Sequence, residues 1–225
     1  MLPALAHVDT WIFDLDNTLY PASANVFAAV DRRMTDYIAR LLNVDAVEAR
    51  RIQKGYFNAH GTTLSGLMAD HGTDPHEFLG FVHDIEMDML AEDALLVGRI
   101  AALPGRKLVF TNGDADYAGR VLARLGLHNS FEGVYDIHAT GYRPKPHPHA
   151  YAGLCEAWDV APASALFADD MVRNLLPARE IGMTTLWIDN GSEQGGAAMT
   201  QALPEPFDFT TADLCGWLGH VLEEQ

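Results

Sequence analysis

Cysteine is scarce in this chain: among 225 residues only Cys155 and Cys215 occur. Each sits inside an apolar helical pattern, so the expectation is two buried thiols in a reducing cytoplasm rather than a disulfide. Basic residues are scarce as well, 15 Lys and Arg against 31 Asp and Glu, for a formal net charge of −16. That excess repels a phosphate backbone, and no Lys/Arg cluster offsets it, so nucleic acid is not an expected partner. Anionic membrane surfaces are disfavoured on the same ground. No apolar run approaches the roughly 18–20 residues that span a bilayer. The opening Met1-Leu2-Pro3-Ala4-Leu5-Ala6-His7 lacks the basic stretch of a secretory signal. What is present, 48% hydrophobic and 20% charged residues, has the balance of a globular protein. Its length suits one domain with a sizeable insertion as well as two domains.

Short apolar runs ending in polar residues recur: 10–14, 107–111, 165–169 and 184–189, with 133–136 a weaker example. Such runs read as strands buried on both faces, as in a parallel sheet. Helical patterns alternate with them, at Ala115 to Leu125, His149 to Trp158 and Val172 to Ile181. The alternation predicts a doubly wound α/β sheet, closed by a last helix from Thr211 to Glu223 with Thr210 or Thr211 as its N-cap.

One interval breaks the alternation. For about ninety residues after the first run no strand pattern occurs, and helical spacing predicts helices over Ala24 to Leu42, Val47 to Asn58, Thr63 to Asp70 and His76 to Leu90. This is an all-helical insertion: residues 1–20 and 99–225 form the core and 21–98 a cap over the C-terminal edge of the sheet, where open α/β sheets bind ligands.

The chemistry-bearing residues lie at the strand ends. Asp14-Leu15-Asp16 places two carboxylates two apart at the end of a buried strand, where they repel unless a cation or proton separates them. Thr111-Asn112-Gly113-Asp114 offers a hydroxyl and an amide where a helix begins, a place suited to an anion. Lys145 lies between Pro144 and Pro146, and Asp169-Asp170 ends another strand with Asn174 a helical turn on. Four carboxylates, a lysine and a Thr/Asn cradle describe a divalent-metal site facing a phosphate. In such a site one Asp serves as nucleophile while another handles protons.

This set, in this order, resembles the four motifs of the haloacid dehalogenase-like (HAD) hydrolase superfamily, over nearly the whole chain. The resemblance implies a Rossmann-like core and a Mg²⁺ cofactor. It implies Asp14 as nucleophile and metal ligand, and Asp16 as general acid/base lending its backbone carbonyl to the metal. Thr111 and Asn112 would bind the transferring phosphoryl oxygens, Lys145 would neutralise Asp14 and the developing charge, and Asp170 would ligate the metal with Asp169 in support. Asn174 is implied only as an outer partner. Relatives that cleave carbon–halogen bonds lack an acid at the position of residue 16, so Asp16 implies a phosphatase. The run Asp-Leu-Asp-Asn-Thr-Leu-Tyr at 14–20, with Asn17 where many relatives carry glycine, points further. With residues 60–67 and Lys145-Pro146-His147-Pro148 it resembles the pyrimidine 5′-nucleotidase branch. The implied substrate is a nucleoside monophosphate. A sugar phosphate or phosphoglycolate is the alternative, and a non-catalytic binding protein is disfavoured because every residue of the chemical set is present.

Other residues read more plainly. Trp11, Phe13, Phe110 and Phe167 are expected core residues. Asp114 and Asp116 are expected to cap a helix, and His147 and His149 to begin one rather than bind metal. Asp84, Glu86, Asp88, Glu92 and Asp93 read as the solvated face of a cap helix. Tyr56, Thr62 and Thr63, around the cap's glycine turn, are the candidates for substrate contact, and 191–196 reads as a glycine-rich surface loop.

Overall fold

The computed structural model describes residues 1–192 and 207–223. Six parallel strands form one sheet in the order β3-β2-β1-β4-β5-β6. The strands are β1 (Thr10–Phe13), β2 (Arg106–Phe110), β3 (Gly133–Tyr135), β4 (Ala165–Asp169), β5 (Thr184–Ile188) and β6 (Phe209–Thr211). All residues of β1 and β4 are buried, as continuous apolar runs between two helical layers require. Alternate side chains sort to opposite faces. Trp11 and Phe13 join a core with Leu96 and Ile100 of α5 (Ala94–Ala102), Tyr117 and Val121 of α6 (Ala115–Arg124) and Leu218 of the C-terminal helix Leu214–Glu223. Ile12, Phe110 and Phe167 join a second core with Tyr151 of α7 (Pro148–Trp158) and Leu175 of α8 (Val172–Glu180).

The helices of the insertion are α1 (Val26–Leu42), α2 (Ala46–His60), α3 (Thr63–His71) and α4 (Pro75–Val82). Their starts are chemically marked: the Asp45, Thr62 and Asp74 side chains accept from backbone N–H groups of the first turns of α2, α3 and α4.

Register sets the site. Phe13 pairs with Val109 on one side and Ala168 on the other, so Asp14, Thr111 and Asp169 emerge at one edge of the sheet. At the opposite edge the chain enters β2 through Gly105, whose φ is +76°. A Cβ there would meet the Asp9 carbonyl oxygen at 2.0 Å, and the next amide, Arg106 N–H, donates to that same oxygen at 2.8 Å.

Several expectations are corrected. The helix expected over His76 to Leu90 ends at Val82, and the acidic stretch from Asp84 to Asp93 is not a helical face. Two arginines of α6 explain why. Arg120 donates to the His83 carbonyl oxygen, and Arg124 donates to the Met87 carbonyl oxygen (3.1 Å) and pairs with the Asp88 carboxylate, so the segment is drawn onto the core. Helix α5 has no counterpart among the expected helices. It crosses the 98/99 division, and its Arg99 donates to the Cys215 carbonyl oxygen at 2.6 Å. Strand β6 was also not expected; Thr210 and Thr211 lie in it, and Asp213 caps the last helix by accepting from Gly216 N–H. Cys155 and Cys215 are free thiols, but half-buried rather than buried. Of the glycine-rich segment 191–196, residues 193–196 lie outside the described residues.

Candidate active site

Lys145 is the hub. Its ammonium is 1% exposed and donates to Asp14 Oδ1 (2.8 Å), Asp169 Oδ2 (2.8 Å) and the Phe110 carbonyl oxygen (2.7 Å). It also lies 4.8 Å and 5.1 Å from the ring centroids of Phe110 and Phe167, so those core rings flank the charge as well as fill space. Burial works against the ammonium, but Asp14 and Asp169 outweigh it and hold the lysine above its ordinary pKa. Asn112 fixes the backbone at this point: its amide oxygen accepts from Lys145 N–H (2.9 Å) and its amide nitrogen donates to Lys145 O (3.0 Å). The Asn112 side chain, read from sequence as a phosphate ligand, lines the cleft and also places Lys145. Thr111 is buried at the strand end, and its hydroxyl accepts from Gly113 N–H at 2.9 Å.

Asp14, Asp169 and Asp170 are buried, and each offers an oxygen within 4.8 Å of the others. Asp169 is the most heavily bonded, accepting from Met171 N–H (2.8 Å) and from the Asn174 amide (3.0 Å) in addition to Lys145. Asp170 Oδ2 accepts from the Ser192 hydroxyl at 2.6 Å. Burial pushes the Asp14 carboxyl up to about 7, against the pull of Lys145 and with a further push from Asp169 and Asp16. Asp170 is raised well above the usual carboxylate range by burial and then by Asp169 and Asp14. Were all three carboxylates ionised, one ammonium would leave two negative charges uncompensated, and burial together with that repulsion raises Asp14 and Asp170. Hard oxygen donors with that excess fit a divalent cation, and the buried, unpartnered Asn174 Oδ1 beside them fits a cation or its water.

Asp16 stands apart. Its carboxylate is outside that three-acid group and accepts from the hydroxyls of Tyr20 and of Tyr117 (2.6 Å), both on Oδ1. Burial raises its pKa against those two hydrogen bonds. It follows Leu15 and precedes Asn17, which takes φ 59°, a left-handed conformation that asparagine tolerates better than most side chains.

A cleft joins these groups to the helical insertion. Its lining includes Asp14, Asp16, Thr111, Lys145 and Asp170 on the sheet side, and Gln53, Lys54, Phe57, Thr62, Thr63 and Phe78 opposite. Thr62 and Thr63 thus reach the cleft, although the Thr62 hydroxyl already accepts from Ser65 N–H as the N-cap of α3. Tyr56 does not line it. Its ring packs on Gly66, and its hydroxyl lies 2.7 Å from His71 Nε2, because the glycine leaves room for the ring on the far side of the turn. Asp114 caps α6 as expected, and it also pairs with His83 at 2.6 Å. His147 caps α7, accepting from His149 N–H.

Sequence reasoning passed over four residues here: Tyr117, His83, Arg173 and Ser192. Arg173 lies one turn beyond Asp170. Its guanidinium sits 3.9 Å over the Phe57 ring and donates to the Gly61 carbonyl oxygen at 2.7 Å, joining the sheet side of the cleft to the insertion. Its position next to Asn174 was the only available signal.

Residues 8–182 match the family of haloacid dehalogenase-like hydrolases. The chain is 27% identical over 191 residues to phosphate metabolism protein 8 of Saccharomyces cerevisiae, a match covering 77% of this chain but 59% of the yeast protein. It is 27% identical over 198 residues to the glyceraldehyde 3-phosphate phosphatase of Methanopyrus kandleri, covering 81% of this chain and 84% of that one. Among solved structures, the HAD-hydrolase YfnB of Bacillus subtilis, bound to magnesium, shares the fold with a TM-score of 0.61 at 16% identity, covering 96% of this chain and 99% of that one. With the match extending through the strands that carry Asp14, Thr111 and Asp169, the chain belongs to the haloacid dehalogenase-like hydrolase family.

Proposed function

We propose that the protein is a Mg²⁺-dependent phosphomonoesterase acting through an aspartyl-phosphate on Asp14, with a pyrimidine nucleoside 5′-monophosphate as substrate. The observation that carries the reading is the division of labour between two aspartates. Asp14 is held by the Lys145 ammonium, as a carboxylate nucleophile must be, while Asp16 is held apart by two phenols. Asp14, Asp170 and Asp169 would hold Mg²⁺, with the Asp16 backbone carbonyl completing the protein's share. The cation supplies charge neutralisation, letting a phosphate dianion approach a site that otherwise carries excess negative charge. The magnesium-bound Bacillus structure of the same fold supports that choice.

An Asp14 oxygen attacks phosphorus and the ester P–O bond breaks. Asp16 gives its proton to the departing alkoxide, then takes one from the water that attacks the aspartyl-phosphate, and the P–O bond to Asp14 breaks to release inorganic phosphate. Lys145 neutralises Asp14 throughout, and Thr111, with backbone N–H groups near the start of α6, faces the phosphoryl oxygens.

Of the insertion read as residues 21–98, residues 21–93 act as the cap that selects the leaving group, with α5 counted to the core side because Arg99 ties it to the last helix. A small ring fits the mixed wall of Gln53, Thr62, Thr63, Phe57 and Phe78. The runner-up is a three-carbon or sugar phosphate, favoured by the name of the Methanopyrus relative. Side-by-side kinetics with Mg²⁺ separate them: UMP and CMP are expected to exceed AMP and GMP in kcat/KM. A purine preference, or brisk turnover of glyceraldehyde 3-phosphate with none of any nucleotide, overturns the nucleotide reading. No Mg²⁺-dependent turnover of any phosphomonoester overturns the phosphatase reading.

A further inference from the structure

Asp16 is held from one side. Two phenolic hydroxyls, from Tyr20 and Tyr117, donate to the same oxygen, Oδ1, and none of the described hydrogen bonds falls on Oδ2, although Asp16 lines the cleft. Both phenols are buried, Tyr20 at 3% and Tyr117 at 1% exposure. Tyr20 shares its segment of chain with Asp16, but Tyr117 reaches it from α6, across 101 positions of sequence. The Tyr117 ring is in turn covered by His83, with centroids 4.2 Å apart and planes within 11°. His83 is the C-cap of α4, the last helix of the insertion. Its Nδ1 lies 2.6 Å from Asp114 Oδ2, its carbonyl oxygen accepts from Arg120, and both partners belong to α6 or its cap. The end of the helical insertion thus rests on the ring whose hydroxyl orients Asp16.

We propose that Tyr117 is a positioning residue for Asp16, turning its Oδ2 toward the leaving-group oxygen, and that the stacked His83 ring makes this placement depend on where the insertion sits. The proposal rests on the phosphatase reading above, since it concerns the proton Asp16 gives to the departing alkoxide. A phenol that fixes one carboxylate oxygen restricts rotation about χ2 and leaves the other oxygen in one place. Because His83 stacks on Tyr117 from the insertion's side, displacing α4 removes the cover that holds the phenol, and Asp16 loses its orientation when the cleft is open.

The test is the leaving-group dependence of kcat/KM, which reports phosphoryl transfer to Asp14, measured with an alkyl phosphate and with p-nitrophenyl phosphate in the full chain with Mg²⁺. A nitrophenolate departs without a proton, so only the alkyl ester needs a placed Asp16. Tyr117→Phe keeps the ring and loses the hydroxyl. It is expected to lower kcat/KM about 10-fold for the alkyl ester, at the upper end of what the loss of one hydrogen bond produces, and less than about 3-fold for the nitrophenyl ester. Asp16→Asn gives the same selectivity with a larger loss, about 10²–10⁴-fold on the alkyl ester. His83→Ala is expected to lower the alkyl-to-nitrophenyl ratio by about 3-fold, a fraction of the hydroxyl's contribution, and His83→Phe, which keeps a stacked ring, restores it. Equal losses on both esters, or none, in a Tyr117→Phe protein with a wild-type melting profile overturn the proposal. An unchanged ratio in His83→Ala overturns the coupling to the insertion. If Tyr117→Phe fails to fold, Tyr117→Leu removes the same hydroxyl, and equal losses on both esters there overturn the positioning role. A wild-type protein that hydrolyses neither ester overturns the phosphatase reading and this one with it.

Discussion

The two sides of the cleft are built on different principles. On the sheet side most functional groups are bonded to one another: Lys145 to Asp14 and Asp169, Asn112 to the Lys145 backbone, Asn174 to Asp169, the phenols to Asp16. Opposite it, the helical wall has its own internal cluster, in which Gln53 donates to Asp31 Oδ1 (2.7 Å) and Lys54 to the same oxygen (3.2 Å). The polar links between that wall and the sheet side include Arg173 to Gly61, Arg120 to the His83 carbonyl oxygen and His83 to Asp114. In the proposed function the reaction chemistry is thus locked into a dense network on rigid strand ends, while the surface assigned to the leaving group can change with few consequences for the network. Sites of fixed chemistry and adjustable selectivity are assembled this way.

The sharpest way to break the comparison is within the sheet side. Asp14→Asn keeps the shape of the side chain and removes the proposed nucleophile, so turnover is expected to fall by about 10³-fold or more. Circular dichroism and the melting temperature should stay near wild type. A variant retaining a tenth of the rate would show that Asp14 is not the nucleophile.

Lys145→Met comes next and strikes stability as well as turnover. Removing a buried ammonium leaves Asp14 and Asp169 facing each other uncompensated, a change worth about 3–5 kcal/mol of destabilisation. Urea unfolding should show it. A loss below 1 kcal/mol would mean that the network tolerates an unpaired acid, and the contrast between the two sides would weaken.

Across the cleft, Arg173→Ala should act differently. It removes the guanidinium that joins Phe57 and Gly61 to the start of α8. KM is expected to rise about 10-fold, equivalent to about 1.4 kcal/mol, with kcat within about 2-fold, because the reacting groups are untouched. A fall in kcat with unchanged KM would place Arg173 with the chemical groups instead.

The smallest expected effect belongs to the His83–Asp114 link. Burial works against the Asp114 charge, but the His83 ring beside it, the Tyr117 N–H and the more distant His138 hold the carboxyl below its usual pKa. A depressed folded pKa adds stability above the unfolded value near 3.9, and that stability is lost as pH falls through the folded value. Asp114→Asn keeps the helix cap and removes the charge, so at pH 7 it should cost about 0.5–1 kcal/mol. The wild-type and variant unfolding curves should converge below about pH 4. A difference that persists to pH 2 would assign the effect to the cap rather than to the charge.

How much of this was legible in the sequence follows from the same contrast. Strands β1, β2, β4 and β5 were readable to within a residue because burial on both faces leaves uninterrupted apolar runs, and the polar residue ending each run had to lie at the sheet's edge. Lys145 could be picked out as a lone cation between prolines. The route from Val82 to Ala94 was not readable, since it is set by Arg120 and Arg124, 37 positions away. Strand β6 is three residues long and half-exposed, too short to carry a period. The pairing of the Asn112 amide with the Lys145 backbone was not readable, because an amide at a strand end suits an anion and a neighbouring backbone equally well. Tyr117 escaped notice because its buried face follows the ordinary pattern of an amphipathic helix, and nothing local marks the hydroxyl's partner.

Gly105 sits at the end of the sheet farthest from the cleft and touches none of the reacting groups. It is nonetheless where β2 takes its alignment against β1, because the Asp9 carbonyl leaves no room for a side chain. Any substitution there must push the two strands apart or slide one along the other, and the displacement is carried along both to Asp14 and Thr111. In a survey of loss-of-function alleles, residue 105 should therefore cluster with Asp14 rather than with the surface turns around it. The defect would look chemical in its symptoms while its origin was purely steric.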